Sequence, residues 1–173
     1  FYLWIYHGLR YGYEAERPST ETFETVSTEE TITQEFIARE YYLKGIEFVF
    51  INLAEDGNGE LDFRVLDSDG RIKANSEIAI SSVTAGEWEF IPLRVRLKAG
   101  ESYILEISAK DCSIPPYVLA REKGTVGENT VLTASGAETS LELLNAYGFA
   151  VSASRLERLL ITVMLAVCLF GLW

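Results

Sequence analysis

The chain has 173 residues, 26 acidic against 15 basic side chains, a formal charge of −11 and an aromatic fraction of 12%. That length predicts one domain of ordinary size with segments on either side of it, and the excess of acid excludes a nucleic-acid partner, which is bound through dense Lys and Arg. The sole histidine, His7, and the two cysteines, Cys112 and Cys168, stand at no metal-site spacing, which leaves no metal centre, no cofactor and no Ser-His-acid triad to assemble.

In chain order, the first segment is Phe1-Tyr-Leu-Trp-Ile-Tyr6, followed by His7, Arg10, Tyr11 and Tyr13. Trp and Tyr concentrate where a bilayer meets water. Residues 1–13 therefore read either as the end of a preceding membrane span or as an aromatic interfacial strap lying on the domain. Residues 14–30 read as an acidic linker, because Glu14, Glu16, Glu21, Glu24, Glu29 and Glu30 have only Arg17 as a basic neighbour.

From Thr31 the hydrophobic period is two, the mark of strands with one buried face. The run Ile46-Glu-Phe-Val-Phe-Ile-Asn-Leu53 is apolar on both parities apart from Glu47 and Asn52, which predicts a central strand covered on two sides. Leu61, Phe63 and Val65 alternate with Asp62 and Arg64; Ile72, Ala74, Ile78 and Ile80 alternate with polar residues; Tyr103, Leu105 and Ile107 repeat the pattern. In Glu87–Leu97 the buried face changes parity between Trp88 and Phe90 on one side and Ile91, Leu93, Val95 and Leu97 on the other. A bulge near Pro92 would produce that change, since proline donates no ladder hydrogen bond. Segments 117–120, 131–134 and 139–146 supply further strands.

Turns are expected at Glu55–Gly59, Ser68–Gly70, Lys98–Gly100 and Ser113–Pro116, where Gly and Asn accept positive φ. Strands so spaced predict an antiparallel sandwich or barrel over residues 31–150. Asp56-Gly-Asn-Gly-Glu-Leu-Asp62 has oxygen side chains at alternate positions, as calcium loops do, but lacks the rest of an EF-hand, so it reads as a hairpin turn.

Residues 155–173 hold Arg155, Glu157 and Arg158 and then fifteen residues without a charge, ending at Trp173. This segment reads as a truncated transmembrane helix that ties the domain to a lipid bilayer, a complete span needing about 20 apolar residues. The domain then stands as a loop between two membrane segments, and a loop so long translocates largely without regard to its own charge. Arg155 and Arg158 on their own would favour the cytoplasmic side.

Gln34-Glu-Phe36, Leu43-Lys-Gly-Ile-Glu-Phe-Val-Phe50, Leu61-Asp-Phe-Arg-Val-Leu-Asp67 and Leu97-Lys-Ala-Gly-Glu-Ser-Tyr-Ile-Leu-Glu-Ile107 occur in an order that resembles jelly-roll domains of the galactose-binding and carbohydrate-binding-module type. The resemblance covers residues 31–147 and rests on core positions and turns, so it transfers no ligand contact. It implies an all-β fold, an antiparallel jelly-roll β-sandwich, in the extracytoplasmic loop of a bacterial polytopic membrane protein that handles cell-envelope polysaccharide. The expected location is the cell membrane, with the sandwich on the extracytoplasmic side.

Sugar binding needs an aromatic platform with polar groups around it, and Trp88, Tyr117 and Tyr147, near strand ends or turns, are the candidate ligand-binding residues. No catalytic constellation can be assembled, so the expected function is a noncatalytic module that recognises a cell-envelope glycan. Its rivals are a structural interaction domain without a ligand and an accessory loop domain of a membrane glycosyltransferase.

Overall fold

The computed structural model describes residues 10–14, 22–122 and 131–152. Within them the chain forms β1 (Arg10–Glu14), β2 (Glu24–Ser27), β3 (Ile32–Ile37), β4 (Tyr42–Ile51), β5 (Glu60–Leu66), β6 (Ile72–Ala79) and β7 (Trp88–Arg96). There follow β8 (Ser102–Lys110), β9 (Tyr117–Glu122), β10 (Leu132–Ala134), β11 (Ala137–Thr139), β12 (Leu141–Leu143) and β13 (Asn145–Ser152). Among the described residues the only helical element is one 3-10 turn, Ile80–Ser82.

These strands build two antiparallel sheets, a β-sandwich. The larger, seven-stranded sheet runs β1-β13-β4-β9-β12, with β2 added on β9 and β7 on β4; the smaller, six-stranded sheet runs β11-β10-β3-β8-β5-β6. The alternating apolar residues of both sheets meet between them. Phe63 of the smaller sheet stacks on Phe48 of the larger at 5.7 Å and meets Phe50 edge-on at 6.2 Å, and Ile32, Phe36, Leu61, Leu105 and Ile107 complete the buried layer. Ring pairs in these geometries add to the area they bury.

β4 is the strand expected at the heart of the core, and it is covered on both faces. Leu43, Ile46, Phe48 and Phe50 enter the core, while Glu47 and Val49, on the opposite face, are 5% and 4% exposed. It pairs with β13 over Leu43–Phe48, with β7 over Tyr42–Val49, and with β9 at Phe50 and Ile51. Asn52, at φ 57°, ends it.

The bulge expected near Pro92 is present: Leu43 faces Val95 and Gly45 faces Pro92, leaving one extra residue on β7, and Arg94 adopts φ 51°. The face change that it was invoked to explain is not. Ile91, Leu93, Val95 and Leu97 all turn inward, and Trp88 and Phe90 simply occupy the outward parity of the same strand. Phe90 lies over Gly45, where a Cβ would meet its ring at 2.5 Å and the Ile91 carbonyl oxygen at 2.3 Å; only glycine fits.

Of the four expected turns, Ser68–Gly70 alone closes a hairpin. It joins β5 to β6, with the Asp67 carboxylate accepting from the Arg71 and Asp69 backbone N–H groups at 2.9 and 3.1 Å. Glu55–Gly59, Lys98–Gly100 and Ser113–Pro116 instead carry the chain from one sheet to the other. The hairpin reading of Asp56–Asp62 is thereby corrected: β4 and β5 belong to different sheets. The Asp56 carboxylate accepts from Asn58 N at 3.1 Å and Ser113 Oγ at 3.1 Å, which ties this crossover to the β8–β9 crossover.

The sandwich also begins before Thr31. β2 lies inside the stretch read as an acidic linker, paired with β9, and Val26 and Thr28 are buried; the Thr28 hydroxyl donates to the Pro116 carbonyl at 2.8 Å. β1, in the aromatic N-terminal stretch, pairs with β13. No helix among the described residues is long and apolar enough to cross a membrane, and residues 155–173 lie outside them.

Candidate functional site

Strand registers decide which candidate side chains share a surface. Partners across an antiparallel pair point to the same side. Trp88 is opposite Val49 and Tyr117 is opposite Ile51, and both β4 residues alternate with the core-facing Phe48 and Phe50. Trp88 and Tyr117 therefore stand on the outward face of the larger sheet, on opposite flanks of β4. Two strand spacings across and two residues along separate their Cα atoms by about 12 Å. Each is the first residue of its strand, in keeping with the expected place near a strand end or turn, and each is partly exposed.

The same face carries Phe90 opposite Glu47, Ala146 opposite Glu47 from β13, and Thr25 and Ser27 of β2 alongside β9. Arg121 and Glu142, cross-strand partners on β9 and β12, join there in an ion pair through Nε and Oε1, with side chains only 13% and 7% exposed. A charge pair so enclosed is held by its own geometry, because removing either partner strands the other away from water. Beside Tyr117 the face thus offers aromatic surface and the hydroxyls of Thr25 and Ser27, while the Arg121 and Glu142 charges are spent on each other.

Tyr147 is not part of it. β13 is registered so that Tyr147 is opposite Ile46, a core position, and its ring stacks on Phe36 at 4.7 Å and on Phe149 at 6.1 Å. Its hydroxyl accepts from Gln34 Nε2 at 3.4 Å and Asn145 Nδ2 at 3.3 Å, and Gln34 Oε1 accepts from the Leu143 N–H at 2.6 Å. The third candidate, half-buried, stands on the core-facing parity of β13, away from the face of Trp88 and Tyr117, and its hydroxyl joins a polar network that reaches the buried Gln34. A signal for the network was available: Gln34 occupies the inward parity between Ile32 and Phe36. Nothing comparable marked the Arg121–Glu142 pair, whose partners lie 21 residues apart.

On the outside of the smaller sheet, Asp62 is 2% exposed and its Oδ2 lies 2.6 Å from Arg64 Nη2 and 2.9 Å from Lys110 Nζ; Lys110 also reaches Glu77 at 3.1 Å. That oxygen is held by charge rather than by a well-directed hydrogen bond. Bonding to Asp62, and secondarily to Glu77, raises the Lys110 ammonium above the usual lysine range. Cys112 packs beside Gly59 with its thiol toward the Lys110 carbonyl at 3.2 Å, and burial pushes that thiol up. Among the described residues no three His, Cys, Asp or Glu side chains converge to hold a metal ion.

No protein-family model matches the chain, and no curated protein matches it either.

Proposed function

We propose that this chain is a noncatalytic β-sandwich module of jelly-roll type, held on the extracytoplasmic side of a cell membrane, that binds cell-envelope polysaccharide through the face bearing Trp88 and Tyr117. The observation that carries the glycan reading is the presence of these two rings on one outward face astride β4, with the hydroxyls of Thr25 and Ser27 on the strand beside Tyr117. Sugar rings present an apolar face and a polar rim, and such a mixture suits them.

The jelly-roll reading is supported by the chain's path: between β2 and β12 every step except the β5–β6 and β10–β11 hairpins crosses between the sheets. The tether is supported by the pairing of Arg10 with Ser152, which brings the chain's entry and exit side by side. A loop anchored at both ends to one bilayer requires such neighbouring ends.

A second reading, a packing domain without a ligand, is favoured by one observation: on the same outward face, Glu47, Val49 and Ala146 are 5%, 4% and 1% exposed. Retention of the chain on cell-envelope polysaccharide separates the two. Trp88→Ala and Tyr117→Ala should each reduce retention several-fold while Tyr147→Phe leaves it unchanged. Full retention in the first two, with a lowered melting midpoint, would return both rings to packing and favour the second reading.

A further inference from the structure

The last strand of the smaller sheet, β6, pairs with β5 and with no other described strand. Its side chains are exposed or half-buried throughout its eight residues. β7 lies close to β6 without pairing with it, and the hydrogen-bonding phase of the edge that no described strand pairs follows from one bond beyond its end: Ile80 N–H donates to the Gly59 carbonyl at 3.0 Å, in register with Leu61 opposite Ile78. In an antiparallel ladder bonded and non-bonded pairs alternate. Ala74, Ser76 and Ile78 thus spend their backbone groups on β5, whereas Asn75 and Glu77 turn theirs outward.

An edge with such groups is a template for another strand, and its phase admits only registers in which outward residues face outward residues. Two copies of β6 meeting antiparallel with Asn75 opposite Asn75 bring Lys73 opposite Glu77 twice, once on each side of the two-fold axis. Sliding two residues one way places Lys73 opposite Ala79 and Glu77 opposite Asn75, so both charge pairs are lost. One further step opposes Glu77 to Glu77, and like charges directly opposite are destabilising. Sliding two residues the other way sets Glu77 opposite Arg71, but the Arg71 N–H and carbonyl are already bonded to Asp67, so among the registers the edge can form the one about Asn75 keeps both charge pairs.

We propose that β6 is a homodimerisation edge, pairing with β6 of a second copy about a two-fold axis at Asn75 and joining the two smaller sheets into one. Lys73 stands where β6 bulges against Val65 and Leu66, so the ladder is short and the association weak. Lysine and bulges are also devices that blunt an edge; that role predicts a monomer at every concentration.

Sedimentation of the full chain, at concentrations from roughly 10 to 500 μM as suits a small interface, should show a reversible monomer–dimer equilibrium. Lys73→Glu and Glu77→Lys should each weaken it roughly tenfold, since each reversal sets two like pairs opposite one another. The double variant should restore it. Because Glu77 also contacts Lys110, that restoration is the decisive reading. In a Cys112→Ser, Cys168→Ser chain, Asn75→Cys should be joined to its counterpart by a short thiol cross-linker, and Ile78→Cys should not. A monomer throughout, a dimer indifferent to both reversals, or a double variant no tighter than the singles would overturn the proposal.

Discussion

Replacing Gly45 by alanine puts a methyl group 2.3 Å from the Ile91 carbonyl oxygen and 2.5 and 2.6 Å from two carbons of the Phe90 ring. The ring is 44% exposed and can swing toward water, but the carbonyl belongs to β7, which is registered on β4 through Ile46 opposite Ile91 and Gly45 opposite Pro92. Relieving the clash therefore means prising β7 from the strand at the centre of the larger sheet. Overpacking of this kind costs about 1–3 kcal/mol, which in a domain of this size lowers the melting midpoint by roughly 3–10 °C. Circular dichroism melts of Gly45→Ala, Phe90→Ala and the double variant would measure it. The double variant should remain below Phe90→Ala, because removing the ring leaves the carbonyl in place. A midpoint within a degree of wild type, or a cost abolished completely by Phe90→Ala, would refute the reasoning.

Other expectations follow from the buried network, the turns and the thiol. Gln34→Leu leaves the Leu143 N–H without its acceptor inside the sandwich and should cost about 1–3 kcal/mol in urea unfolding; Tyr147→Phe, which keeps the ring stack, should cost less. The Asp67 carboxyl is held below its ordinary value of 3.8, chiefly by the Arg71 backbone N–H, so its contribution is present above that value and lost as pH falls through the folded one. Asp67→Asn, whose amide oxygen can still accept those bonds, should therefore show a smaller drop in urea midpoint than wild type between pH 5 and about pH 2.5; equal drops would refute the assignment. In a Cys168→Ser chain, Cys112 should alkylate more slowly at neutral pH than free cysteine, since burial raises its thiol. Labelling faster than free cysteine would contradict that.

The core was legible wherever a strand buried one face over several residues. Leu61-Phe63-Val65 and Tyr103-Leu105-Ile107 alternate because the pleat does, and Ile46–Ile51 is apolar on both parities because β4 is covered on both sides. β2 escaped notice because, of its four residues, only Val26 is buried, too few for a period to emerge from an acidic stretch. The crossovers were illegible for a different reason: glycine and asparagine provide positive φ to a hairpin and to a sheet-to-sheet connection alike, as Gly57 and Gly70 do. The candidate site divided in the same way. Trp88 and Tyr117 follow turn residues at the starts of their strands, but the face each ring takes is set by partners on β4, 39 and 66 residues away. The side that Tyr147 takes depends likewise on Ile46 of β4, 101 residues before it.

β4 pairs with a strand that is synthesised about a hundred residues after it: Phe48 waits for Asn145, and Leu43 for Phe149. Until then the most apolar strand of the domain has an open flank, and no local hairpin can close it. Such long-range pairing places folding on the slow, millisecond-to-second side of the range for small domains and keeps the nascent chain exposed to aggregation. A chain cut before Asn145 should consequently fail to reach the native sandwich at all, however complete its other strands.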